Sequence, residues 1–74
     1  MEVLFYMFRI EYEYYDKSYH VRMKKIECGT IDRVKFHCKN IEALTEHKPI
    51  GTPRIVEYFE GKPDKNISYK EMLK

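Results

Sequence analysis

Seventy-four residues, 43% hydrophobic and 15% aromatic, bound the chain to one small domain with enough apolar side chain to form a core, which excludes global disorder. Fourteen Lys and Arg against twelve Asp and Glu leave a formal charge of +2, too mild to specify nucleic acid as a partner. Two cysteines, Cys28 and Cys38, exclude a disulfide scaffold.

No run approaches the roughly 20 apolar residues of a membrane-spanning helix, so no membrane partner is expected. The apolar N-terminal start is broken by Arg9, Glu11 and Glu13, with no small-residue cleavage site behind it, which argues against a signal peptide. The expected setting is cytoplasmic, with reduced thiols; for a viral chain, that means inside the host cell.

Even positions of the first segment read Leu4, Tyr6, Phe8, Ile10, Tyr12 and Tyr14, while odd positions turn polar at Arg9, Glu11 and Glu13. This period of two predicts a strand over 3–15. Asp16-Lys17 predicts a tight turn in which Asp bonds its own backbone. A second strand over 18–28 then pairs Tyr14 with Tyr19, Tyr12 with Val21 and Ile10 with Met23, leaving Glu13 opposite His20 and Glu11 opposite Arg22.

Gly29-Thr30 suits a two-residue hairpin turn. Carried through it, the register makes 31–39 a third strand, with Val34, Phe36 and Cys38 extending the apolar face. Ile31, Val34, Cys38 and Ile41 also fit helical spacing. The alternative is therefore a β-hairpin plus helix, β-grasp-like, with Phe36 off the apolar stripe.

Beyond this meander of 1–39, residues 40–74 read as short helices and loops of the same single domain, 1–74. Asn40 is a candidate cap for a helix over 41–47 ended by Pro49. Thr52-Pro53 resembles a helix start, with Ile55, Val56 and Phe59 on one face and Gly61 as the stop. Gly61 to Lys65, containing Lys-Pro-Asp-Lys, reads as a turn or linker. Ser68 to Glu71 has capping-box spacing, with Ile67 placed to staple Met72. The expected fold is α+β: a three-stranded antiparallel meander with short helices packed on it.

The face opposite the tyrosines is the informative one. Its expected rows set Arg9 beside Lys24 and Lys35, and Glu11 beside Arg22 and His37, with Lys39 and Arg33 at the ends. Like charges directly opposite destabilise a sheet, so the cationic row calls for an acidic partner, for Glu57, Glu60 or Asp64 folding over it, or for plain solvation. Below it, Phe5, Met7 and Ile26 form an apolar patch that a helix or a partner must cover.

A metal site drawn from Cys28, His37, Cys38 and His47 matches no paired-ligand spacing, and the expected register sends the two thiols to opposite faces. No cofactor is implied. No nucleophile with an oriented base stands out, so an enzyme is not expected. The preferred reading is a non-enzymatic regulatory or inhibitor protein that occupies a macromolecular partner, protein rather than nucleic acid, of a size that fits a viral or mobile-element product. Binding of RNA or single-stranded DNA through the cationic face is the alternative, and an exposed strand edge offers a route to a homodimer.

Overall fold

A computed structural model describes residues 6–74. The chain runs β1 (Tyr6–Tyr15), β2 (Val21–Cys28), α1 (Ile31–Glu42), β3 (Arg54–Phe59), β4 (Lys62–Ile67) and α2 (Tyr69–Met72). The strands make one antiparallel sheet in the order β2-β1-β3-β4. Phe8, Ile10 and Tyr12 of β1 and Ile55 of β3 meet Val34, Cys38 and Ile41 of α1 and Tyr69 of α2, so both helices cover the same sheet face. The α+β class stands, and the three-stranded meander gives way to four strands.

The third segment is a helix, the alternative reading. Thr30 is extended and its Oγ1 accepts from the Arg33 N–H at 3.2 Å, which satisfies one of the open donors of the first turn. Asp32 and Lys39 then sit at the ends that suit their charges. Val34, Cys38 and Ile41 form the buried stripe, and Phe36 falls outside it. Helical period wins because one stripe buries three side chains, whereas a third meander strand would leave half of its residues facing water. Asn40 consequently lies inside α1 rather than capping a helix over 41–47.

Residues 54–59 are a strand, not a helix. β3 is central, so Ile55 faces the helices while Val56 faces the other way, and both are buried. A strand buried on both faces does not alternate, which is why its pattern misled. Glu60 (φ 50°) and Gly61 (φ 79°) are both left-handed, as a type I′ turn requires, and they reverse the chain into β4. The Lys-Pro-Asp-Lys segment is thus an edge strand. It carries a bulge: Glu57 pairs with Lys65 and Tyr58 with Pro63, so Asp64 is skipped. The short C-terminal helix forms where expected, with Ser68 accepting from the Glu71 N–H.

The register of the first hairpin is shifted by three residues. The connection between β1 and β2 spans 16–20 instead of two residues, so Tyr15 meets Val21, Tyr12 meets Lys24 and Ile10 meets Ile26. Asp16 does bond its own backbone, accepting from the N–H groups of Ser18 and His20 at 2.8 and 2.9 Å, and Tyr19 takes a left-handed φ of 62°. An odd shift exchanges the faces of β2. Ile26 and Cys28 join the core, and Val21, Met23 and Lys25 turn to the open face.

β3 pairs with β1 only from Tyr6 to Glu11. Beyond that point β1 and β2 continue as a two-stranded ribbon, which helps make the molecule long, 48 × 26 × 16 Å. The 43–53 connection props the ribbon from one side. The Ile50 N–H donates to the Glu13 carbonyl at 2.7 Å, and the rings of Tyr14 and His47 lie 5.0 Å apart.

Candidate interaction surface

Among the described residues no helix covers the other sheet face, and Arg9 is the centre of its charge pairing. Arg9 donates to Glu27 Oε1 at 3.1 Å and to the Tyr58 hydroxyl at 3.4 Å, and its guanidinium lies 4.9 Å from the Tyr58 ring centre. Glu11 stands 3.8 Å from Arg9, with Lys25 and Arg54 opposite it on the two neighbouring strands. The neutralising carboxylates are therefore Glu27 and Glu11. Glu57 lies on the other face, where it is buried and paired with Lys65 at 3.4 Å.

The expected cationic row is not assembled. Arg9 is on the open face, Lys24 and Arg22 are on the helix side of β2, and Arg33, Lys35, His37 and Lys39 are on α1. Arg22 is bound to Asp16 at 2.9 Å, and this contact, with the His20 N–H as the larger cause, holds the Asp16 carboxyl below its usual range. Lys24 and Lys25 are exposed and have no ion-pair partner within 4 Å among the described residues.

The expected apolar patch is also divided. Met7 is half-buried on the open face opposite Tyr58, Ile26 packs into the core from the other face, and Phe5 lies outside the described residues. Both divisions follow from the odd register shift and from the helical third segment.

A different apolar strip takes the place of that patch. Tyr15, Val21 and Met23 share the open face of the projecting ribbon at 52, 51 and 51% exposure. Val21 is directly opposite Tyr15, and Met23 is the next residue along the same face. Ile50 and Met23 line a shallow depression of about 220 Å³ with Glu11, Glu13 and Arg54. Tyr19 at the ribbon tip is 84% exposed. A two-residue turn would have hidden Val21 and Met23 under Tyr12 and Ile10, so the strip was invisible without the true loop length.

α1 offers a second surface. Arg33 lies 4.9 Å from the ring centre of Phe36, which is 50% exposed, and the His37 ring packs edge-on against Phe36 at 5.5 Å. Lys39 is exposed nearby on the same helix.

A groove of about 360 Å³ runs between the end of α1, the 48–53 segment and α2. Its buried tyrosine, Tyr69, already donates to Glu42 Oε2 at 3.0 Å and to the Cys38 carbonyl at 3.3 Å. Burial, then the Glu42 contact, pushes the Tyr69 phenol above its ordinary value. Cys28 and Cys38 are unpaired thiols in the same core, not on opposite faces, and burial pushes Cys38 up to about 11. Such thiols are protonated and shielded, hence poor nucleophiles at neutral pH. Among the described residues no three His, Cys, Asp or Glu side chains converge as a metal site, and no helix is long and apolar enough to cross a membrane.

No protein family, curated protein or solved structure matches the chain.

Proposed function

We propose that this chain is a small non-enzymatic binding protein, of regulatory or inhibitor type, that acts by occupying a protein partner. The supporting observation is the strip of Tyr15, Val21 and Met23, three large apolar side chains exposed side by side on the sheet face away from the helices. Aromatic and Met side chains are the types enriched at the centres of protein interfaces, where they supply apolar area without fixed hydrogen-bond demands. The paired charges of Arg9, Glu27 and Glu11 beside the strip provide a polar rim.

The test is capture from native host lysate after nuclease treatment, comparing the unaltered chain with a Val21→Glu, Met23→Glu variant whose fold is checked by circular dichroism. The expected result is a protein retained at roughly 0.5 M salt, where exposed charges are largely screened, and lost with the double variant. Capture of the same proteins by both chains removes the strip from consideration.

Nucleic-acid binding through α1 is the second reading, favoured by the stacked Arg33 and Phe36 with His37 and Lys39 alongside. Aromatics interleaved with cations are what single strands require. It predicts binding that falls steeply with salt and is abolished by Arg33→Glu, Lys39→Glu.

A further inference from the structure

We propose that the free edge of β2 is a strand-addition site for an extended peptide segment that alternates acidic and apolar residues. The proposal rests on the protein-binding reading and names the form in which the partner is recognised.

The backbone phase of β2 follows from one hydrogen bond. The Glu13 carbonyl accepts from the Ile50 N–H at 2.7 Å, on the β3 side of β1. In a regular antiparallel strand the N–H and C=O of one residue point to the same neighbour and alternate along the chain. Odd residues of β1 therefore address β3, and even ones address β2. With Tyr12 opposite Lys24 and Glu13 opposite Met23, the outward-pointing residues of β2 are Val21, Met23, Lys25 and Glu27. No other hydrogen bond of the described residues reaches their main-chain groups.

The two edges of the sheet differ. β4 is interrupted by Pro63 and by the bulge at Asp64, either of which spoils a continuous ladder. β2 holds an unbroken register over all eight of its residues and contains no proline or bulge. It is the edge on which a further strand can continue.

Charge selects the occupant. Lys24 on the helix side and Lys25 on the open side have no ion-pair partner within 4 Å among the described residues, and Arg22 stands on the Lys24 side with 61% of its side chain exposed. Edge lysines deter strands that are neutral or basic. An alternating strand carries its carboxylates on one face only, and with that face on the helix side they stand opposite Arg22 and Lys24. A second copy of β2 is a poor match: the two longest two-fold registers that use the outward groups set Lys24 against Lys24 or Lys25 against Lys25. The apolar residues of the alternating strand then lie on the open face opposite Val21 and Met23, which completes the acidic–apolar alternation. The added strand also extends the apolar strip.

The test titrates the full chain with four synthetic eight-residue peptides: alternating Glu and Val, alternating Lys and Val, and two Glu–Val peptides N-methylated at alternate amides, one in each phase. Amide hydrogen exchange is read residue by residue. The expected result is that the unmethylated Glu–Val peptide slows exchange at Val21, Met23, Lys25 and Glu27, that the Lys–Val peptide does not, and that at least one methylated phase loses the effect. Lys24→Glu weakens binding of the unmethylated Glu–Val peptide by roughly fivefold, as expected from reversing one cross-strand charge pair, and narrows its preference over the Lys–Val peptide. Binding that survives methylation in both phases, or that leaves the β2 amides unchanged, overturns the proposal. So does concentration-dependent protection of those amides without peptide, which identifies a homodimer, or protection of α1 by an oligonucleotide in place of β2 by peptide. If the peptides fail while Val21→Glu, Met23→Glu still abolishes lysate capture, strand addition is refuted and the protein-binding reading survives.

Discussion

Val34→Ala and Phe36→Ala separate a helical third segment from a strand, because a strand would put both side chains on one face. In α1 Val34 is fully buried and Phe36 is half exposed. Val34→Ala removes two buried carbons, worth about 1.6 kcal/mol at about 0.8 kcal/mol each, and leaves a cavity costing about 1 kcal/mol more. The better helix propensity of Ala returns about 0.5 kcal/mol, for a net loss near 2 kcal/mol. Phe36→Ala loses part of its packing and the contact with Arg33, about 0.5–1 kcal/mol, offset by a similar propensity gain. A domain of this length has a total stability of about 4–11 kcal/mol, so the first change is large and the second near neutral. Urea unfolding followed by circular dichroism, with a slope of about 1 kcal/mol per molar, should show the midpoints roughly 2 M apart. Equal midpoints, or a larger loss from Phe36→Ala, would refute the helical stripe and the packing built on it.

Alkali should weaken the fold before it affects surface charge pairs. Cys38, pushed up to about 11 by burial and then by Cys28 and Glu42, keeps a proton in the folded state that the unfolded thiol loses near 9. Its contribution is complete below pH 9 and declines as pH rises through 9 to 11, and the raised Cys28 acts in the same direction. Urea midpoints at pH 7, 9 and 10.5 should fall along that series and flatten in Cys38→Ala; a midpoint independent of pH contradicts the burial of these thiols. In the β3–β4 turn, Glu60→Asn should stabilise by about 0.5 kcal/mol because Asn tolerates the left-handed backbone, and Gly61→Ala should cost about 1 kcal/mol. Thermal melts of both variants check the turn, and opposite signs exclude a type I′ conformation.

Part of the fold was legible because the residues concerned bury one face only. β1 alternates cleanly, and its alternation survives at Phe8, Ile10 and Tyr12. Ser68 caps α2 by a local rule that needs no partner. β3 was illegible for the opposite reason, since Ile55 and Val56 are both buried on a central strand. β4 was read as turn because Lys62, Pro63, Asp64 and Asn66 disfavour strand, yet an edge strand needs only half of its backbone groups paired. The ambiguity of 31–39 was real: Val34 and Cys38 satisfy periods of two and of four alike, Phe36 favours the first and Ile31 the second.

The candidate surface depended on one quantity that residue pattern does not encode, the length of the 16–20 connection. Arg22, Lys24 and Lys25 give Glu11 a cationic neighbour in either register, so charge matching did not discriminate. Apolar matching favoured the shorter turn, because it paired Ile10 with Met23 and Tyr12 with Val21. The five-residue connection is held by Asp16, whose carboxylate serves two backbone N–H groups and Arg22 at once. The shifted register sets Tyr12 and Tyr14 opposite Lys24 and Arg22, and in exchange brings Ile26 and Cys28 into the core opposite Ile10 and Phe8. Three residues of slip disperse the supposed cationic row, expose Val21 and Met23, and leave Lys24 and Lys25 flanking a free edge. The surface proposed for partner binding is therefore a consequence of how the hairpin turns, and a substitution at Asp16 that shortened the connection would turn Val21 and Met23 to the core face and abolish the proposed strip.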